Sequence, residues 1–464
     1  MINGVETGKT GWADLLAEGR LPRFALICLG VWLNAADSLV TSTIMPSVGA
    51  DLGGYAYFAW ATVGFLVGAI MAAASAGRLS ERFGLRGATA VAGAIMAVGC
   101  VASALAPDIG TFLAGRLVQG LGSGWISGFA MVAIAFLFPE RHLARVFAAV
   151  TGVWGVATLL GPLFGGLVVE SGNWRDVFWL FAAQAGLFSV AAPFLLGADA
   201  KVERGPGIPW RQLGVLGVGV AALAVANVAA VPILSVTLVV LGFAALAVMV
   251  WMDASAEVRL LPLRTWDVTT VCGAGYLSLF AMTAASMGFA IYGPAILQQL
   301  RGFTPLWAGY AIAVESLAWT AAAMAVAGAV GVWDGRWIRV GAVALVASLV
   351  ILALSMADGA LAWVLVGGAL LGAAFGLSFA FMSRRILAAL TDEDRAIGSS
   401  AITAVRQTGA AAGAAISGVA ANLAGFSGGL TDASARGASF WIYAAVTPLA
   451  LIGTWAAFRL TRAA

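Results

Sequence analysis

Long, nearly uncharged stretches of about 20 residues, cut apart by short charged or turn-rich breaks, run through this chain from residue 23 to residue 458. A hydrocarbon core of ~30 Å needs roughly 20 apolar residues of α-helix to cross it. In lipid every backbone polar group must be satisfied internally, which leaves only helices and closed barrels. A barrel would alternate apolar and polar residues with period two, and these runs do not alternate. The expected fold class is therefore all-α and polytopic in a membrane. Composition agrees, because 61% of the 464 residues are AVILMFWYC and only 10% are charged, against about 25% charged in soluble domains. The 59 glycines suit helices that approach closely in lipid.

The apolar stretches fall at about 23–46, 57–77, 88–106, 111–138, 146–169 and 176–197, then 212–231 and 233–252 around Pro232, then 269–298, 304–330, 338–357, 360–382, 397–424 and 439–458. That is six, two and six, fourteen spans in all. The organisation expected is a cytoplasmic segment 1–22, a six-helix bundle 23–197, connectors with two extra helices 198–268, and a second bundle with a short cytoplasmic tail 269–464. Cytoplasmic loops are enriched in Lys and Arg. With both termini inside, twenty of the 25 basic residues fall in inward segments and three (Arg175, Arg301, Arg436) in outward loops, while Arg116 and Arg406 lie within spans. Reading the pair around Pro232 as one broken helix would invert the second half. Residues 1–20 are polar and the run after them is too long for a signal-peptide core, so it reads as the first span.

Several chemistries are excluded. Cys28, Cys100 and Cys272 stand apart with no metal or redox spacing, and His142 is the only histidine. No nucleophile–base set, metal site or G-x-x-x-x-G-K-[ST] phosphate loop occurs. No enzyme activity, metal or cofactor is expected, and the net charge of +3, which reflects cytoplasmic loops, gives no hint of nucleic acid.

Six stretches narrow the reading. Gly77-Arg78-Leu79-Ser80-Glu81-Arg82-Phe83-Gly84-Leu85-Arg86 follows the second span. Its glycines permit a tight helix-to-helix turn, and Glu81 can sit at a helix N-terminus. Arg116-Leu117-Val118-Gln119-Gly120-Leu121-Gly122 lies within the fourth span, and Gly161-Pro162-Leu163-Phe164-Gly165-Gly166 within the fifth, with Ala157 preceding it by one turn. In the second half stand Leu297 to Pro305 followed by Ala308-Gly309, Arg406-Gln407-Thr408-Gly409 and an eroded loop copy, Trp333-Asp334-Gly335-Arg336. These stretches resemble the major facilitator superfamily, most nearly its fourteen-span drug:proton antiporters. The resemblance implies two six-helix bundles that rock about a central cavity, and it places the glycine stripes Gly120/Gly124 and Ala157/Gly161/Gly165 at a moving interface. It is silent about substrate.

An ionisable side chain at mid-bilayer costs at least ~2.5–3.5 kcal/mol, and four candidates bear that cost: Asp37, Arg116, Glu315 and Arg406. Helical rise puts Asp37 ~21 Å and Arg116 ~19 Å from the cytoplasmic edge, so the two can pair. Glu315 and Arg406 come out near the midplane, with Arg406 as the second possible charge partner. Polar stripes accompany them: Asn34, Asp37 and Thr41; Arg116, Gln119, Ser123 and Ser127; Ser399, Thr403 and Arg406. Such stripes should line a wet cavity. Trp32, Trp154, Tyr276, Phe280, Met287 and Trp319 could add an apolar wall. The expected function is a proton-coupled exporter of small amphiphilic compounds, cationic or neutral, by alternating access in the inner membrane, with Asp37 and Glu315 exchanging protons and no obligate protein partner. A lipid or glycolipid exporter on the same scaffold is the alternative; a receptor or scaffold would not need the buried charges.

Overall fold

The computed structural model describes residues 20–138, 140–170, 172–196, 209–228, 231–326, 329 and 332–462. Within them are fourteen α-helices and no strands. In chain order these are α1 (Arg20–Leu52), α2 (Trp60–Phe83), α3 (Leu85–Ala104), α4 (Ile109–Leu137), α5 (Glu140–Glu170), α6 (Arg175–Leu195), α7 (Trp210–Val228), α8 (Pro232–Ala254), α9 (Val271–Arg301), α10 (Pro305–Val326), α11 (Val332–Ser355), α12 (Leu361–Ala388), α13 (Asp392–Leu423) and α14 (Asp432–Arg462). Each overlaps one stretch expected from the sequence. Twelve are long and apolar enough to cross a membrane. The other two are α7, with a shorter apolar run, and α13, whose 32 residues include Arg395 and Arg406. The polarity of α13 reflects its place at the seam between the halves rather than against lipid.

The chain runs back and forth, so one end of the bundle gathers the starts of odd-numbered helices and the other their ends. These are called here the near and far ends. Local signals set the turns. Gly84 alone separates α2 from α3 with φ 75 and ψ 144, a conformation that side chains resist. The Asp108 carboxylate accepts from the Thr111 amide at 2.9 Å and Thr270 accepts from Gly273 at 3.1 Å, each covering an amide orphaned at a helix start. The outer position of Asp108 leaves its carboxyl exposed, and those bonds from Thr111 hold it below the usual carboxylate range. Pro232 occupies the first turn of α8, where a missing N–H costs nothing. The pair around Pro232 is thus two helices, with Gly219 and Gly242 facing one another at close range.

The first six helices pack among themselves, chiefly α2 and α3 on α4, α3 on α6 and α1 on α5; the last six do likewise through α9 on α14, α11 on α12 and α10 on α12. Two main seams join the halves, α5 against α10 and α2 against α13, with smaller contacts of α1 on α9 and α10. Helix α7 lies over the second seam, touching both α2 and α13, and α8 backs α7.

Glycine stripes set the close crossings. A Cβ on Gly120 would stand 2.0 Å from Phe65 O and one on Gly124 2.3 Å from Ala69 O, so this stripe seats α4 on α2. Gly372 and Gly376 of α12 face the carbonyls of Glu315 and Trp319 on α10 (1.8 and 2.3 Å), and Gly409 and Gly413 of α13 face Phe280 and Ala284 on α9. Two expectations change here. Gly161 and Gly165 lie against Leu39 and Val40 of α1, within the first half, and the Gly120 stripe is also internal to it. The glycine of α5 that meets the opposite half is Gly166, whose Cβ would come 2.5 Å from Leu306 Cα on α10. Ala157 is buried on the same helix.

Candidate functional site

In the first half, the charges are closed off. Arg116 Nη1 donates to both Asp37 carboxylate oxygens, at 2.9 and 2.7 Å, and Nε donates to Ala61 O at 3.1 Å. The same guanidinium reaches Gln119 Oε1, and it lies over the Phe65 ring at 4.8 Å. Gln119 in turn donates to Ser103 Oγ at 3.1 Å. Asp37 and Arg116 are 0% and 1% exposed. This is a neutral, hydrogen-bonded cluster joining α1, α2, α3 and α4, and the depths expected from helical rise agree with it. Thr41 and Ser123 are buried beside it, and Ser123 Oγ has no partner. Of that polar stripe, only Asn34 and Ser127 are half-buried; Asn34 Nδ2 donates to Ser127 Oγ at 3.0 Å. Gln119, Thr41 and Ser123 therefore belong to the packing around the ion pair rather than to an accessible wall.

The second half is built differently. Glu315 on α10 is partly exposed, and no hydrogen bond or ion pair reaches its carboxylate among the described residues. Arg406 does not pair with it. Instead the Arg406 guanidinium sits over Phe379 of α12 at 4.7 Å and Trp319 of α10 at 5.6 Å. Trp319 is stacked on Phe375, ring centroids 5.0 Å apart at 13°. The guanidinium spans from α13 to α10, two helices that belong to opposite seams and do not pack on each other. A side-chain contact between them crosses the inner face of the second half. Glu315, one turn before Trp319, is held in place because its own carbonyl is the one Gly372 admits. Tyr443 of α14 lies within electrostatic range of Glu315, with its hydroxyl buried and unpartnered.

The remaining candidates scatter. Tyr276 is buried and its hydroxyl donates to Gly398 O at 2.9 Å, tying α9 to α13. Phe280 meets Phe243 of α8 edge-on at 6.3 Å, toward the extra helices. Trp32 donates to Gln184 on α6 at 2.8 Å, and Trp154 is 44% exposed on α5. In the loop motif, Gly84 makes the turn and Arg82 lies over Phe83. Arg86 begins α3 and is exposed. Gly77, Glu81 and Pro162 fall outside the described side chains, as do residues 1–19 and most of the connector before α7. The second-half counterpart of the loop holds an ion pair, Arg384 to Asp334.

The hydrogen bonds and ring contacts that bridge the two halves gather at the far end. Phe58 stacks on Tyr292 at 5.3 Å, Phe426 stands edge-on to Phe58, Tyr55 and Tyr292, and Asn422 Nδ2 donates to Ala56 O at 2.7 Å. Gln298 Nε2 reaches Thr43 O at 3.3 Å. Sequence reading missed this plug, because its rings come from loops and helix ends with no common spacing. It also missed Phe379 and Phe375; the Gly372-x-x-x-Gly376 repeat beside them was the available signal.

Two bundles joined along two seams, with unpaired charge on one inner face, form a transporter's framework, and a family model described as "Major Facilitator Superfamily" matches residues 27–414. The chain belongs to the major facilitator superfamily. This facilitator is 30% identical over 480 residues to a "Probable multidrug-efflux transporter" of Mycobacterium tuberculosis (strain ATCC 25618 / H37Rv), covering 98% of this chain and 97% of that relative. It is also 30% identical over 186 residues to the "Tetracenomycin C resistance and export protein" of Streptomyces glaucescens, covering 40% of this chain and 34% of that one. Among solved structures, a peptide transporter POT in complex with sulfate superposes with TM-score 0.68 at 16% identity, covering 95% of each chain. A D-xylose-proton symporter superposes with TM-score 0.62 at 18% identity, covering 95% of this chain and 97% of that one. At those identities the likeness is one of fold. The chain is thus a multi-pass membrane transporter of the facilitator family and not an enzyme.

Proposed function

We propose that this facilitator exports small amphiphilic compounds in exchange for protons, by alternating access, from an inner membrane with both termini in the cytoplasm. The near end is then cytoplasmic and the far-end aromatic plug faces outward. The basic residues of the near-end segments support that orientation, and the full-length similarity to a probable multidrug-efflux transporter supports export. One observation carries the coupling: Glu315 is a half-buried residue of α10 whose carboxylate has no hydrogen bond or ion pair among the described residues. A coupling group must take up and release a proton during the cycle, and arginines stay charged throughout. Asp37, closed within its ion pair, serves here as the fixed partner of Arg116, and Glu315 as the proton carrier.

The test is transport in proteoliposomes with and without an imposed pH gradient. Glu315→Gln should abolish gradient-driven accumulation of a fluorescent amphiphile and still permit its downhill exchange. Full gradient-driven transport by that variant overturns the assignment of Glu315.

A further inference from the structure

We infer that Arg406 is a docking point for an acidic group on the transported compound, so that the preferred substrates are aromatic or apolar molecules bearing a carboxylate or similar anion. The inference rests on the exporter reading above and adds the substrate's charge. Three observations carry it. Arg406 makes no hydrogen bond and no ion pair among the described residues, and its Nε is buried without a partner. Its guanidinium is not loose, because Phe379 and Trp319 hold it on two ring faces. And its ring contacts bridge α13 to α10, two helices that belong to opposite seams of the second half.

The arrangement differs from its counterpart in the first half in the respect that matters. Arg116 directs Nη1 to Asp37 and Gln119 and Nε to Ala61 O. Arg406 gives none of its five donors to a described residue, and retaining an uncompensated cation at this depth is costly unless something uses it. A planar guanidinium fork matches a carboxylate with two parallel bonds, and the adjoining stack of Trp319 on Phe375 supplies a flat apolar surface for the body of the same molecule. A cationic compound finds less: Asp37 is already neutralised by Arg116, Glu315 is taken by the proton it carries in the reading above, and Arg406 repels it. Glu315, one turn from Trp319, makes no ion pair with Arg406 and so leaves its charge free.

The test uses three probes with one naphthalene body, 1-naphthylacetate, its methyl ester and 2-(1-naphthyl)ethylamine. Binding to the full-length protein in detergent and transport in proteoliposomes are both measured. The acid should bind most tightly. Arg406→Gln should weaken the acid about 10- to 100-fold, the range expected for a lost charged hydrogen bond, and change the ester less than about threefold. Unaltered ester binding shows that the variant is folded, and Arg406→Lys, which keeps the charge but not the fork, should retain an acid preference of reduced size. Equal binding of the three probes, no binding of any, or an equal loss for acid and ester in Arg406→Gln with Arg406→Lys indistinguishable from it, overturns the acidic site. Gradient-driven transport in which the acid is not preferred overturns the site and leaves the exporter standing. Tight, Arg406-dependent acid binding without gradient-driven transport of any probe sustains the site and overturns the proton-coupled exporter.

Discussion

Removing the Asp37 carboxylate should cost this protein far more stability than removing both members of its pair. In Asp37→Leu the Arg116 guanidinium loses bonds of 2.9 and 2.7 Å and stays in a site 1% exposed to solvent. Its remaining partners, Gln119 Oε1, Ala61 O and the Phe65 ring, carry no negative charge. Breaking a buried pair by deleting one partner costs about 3–5 kcal/mol, whereas exchanging both for apolar groups is often close to neutral. For a unit of roughly 150–250 residues, about 2–4 °C of melting temperature accompanies each kcal/mol. Asp37→Leu should therefore melt roughly 6–20 °C below the parent, and Asp37→Leu with Arg116→Met should recover most of that. The assay is loss of the monodisperse peak on size-exclusion chromatography after heating in detergent, with Arg116→Met alone closing the cycle. A double variant no more stable than Asp37→Leu would show that the charges are not coupled. Asp37 would then return as a candidate for proton exchange.

Gly166→Leu should insert normally yet transport poorly, because even a Cβ there would stand 2.5 Å from Leu306 Cα across a seam between the halves; Gly155→Leu, with nothing within 4 Å, is the control, and equal transport by the two would place Gly166 away from any closing contact. Gly84→Val should lower stability by about 1–3 kcal/mol, the usual cost of a side chain in a glycine-only conformation, since φ is 75 and ψ 144; an unchanged melting temperature would refute the need for glycine at this turn.

How much of this was legible beforehand depended on the kind of signal. Helix positions were, because a lipid-crossing helix writes itself as an apolar run and its ends as charge, Gly or Pro. Pro232 and Gly84 mark their turns in the sequence as clearly as in the fold. The Asp37–Arg116 pair was also legible, since rise per residue fixes depth and two charges at one depth have reason to meet. Which way a helix is rotated was not. Depth alone cannot say that Gln119 and Ser123 turn into the packing around Arg116, or that Tyr276 turns to Gly398. A glycine stripe announces that some helix approaches, not which one; Gly161 and Gly165 meet α1, and the neighbouring Gly166 meets the other half. The two midplane charges, Glu315 and Arg406, invited pairing by depth, and the rings of Phe379 and Trp319 decide otherwise.

The two seams are not equivalent, and the extra helices are the reason. Along α5 and α10 the halves meet directly, with Gly166 against Leu306 at the far end. Along α2 and α13, α7 lies over the join and touches both partners. The segment after α8 then returns to α13: Asp253 accepts from the Leu260 and Leu261 amides at 2.7 and 2.8 Å, which aims Arg259 at Asp394 in the first turn of α13, 3.0 Å away. Asp394 also accepts from the Leu263 amide, and Pro262 lies against Gly398. The near end of α13 is thus fixed to the extra pair by an ion pair, a backbone bond and packing, while α7 packs on α2 with Gly217 opposite Met71. If the halves separate along this seam, the polar attachments keep α7 and α8 with the second half, and the apolar contact with α2 is the one that slides. Apolar side chains can exchange neighbours or lipid at little cost, because lipid tails are as apolar as they are; an ion pair drawn apart in the same place could not. That distribution assigns the extra helices mechanically to the half that carries Glu315 and Arg406.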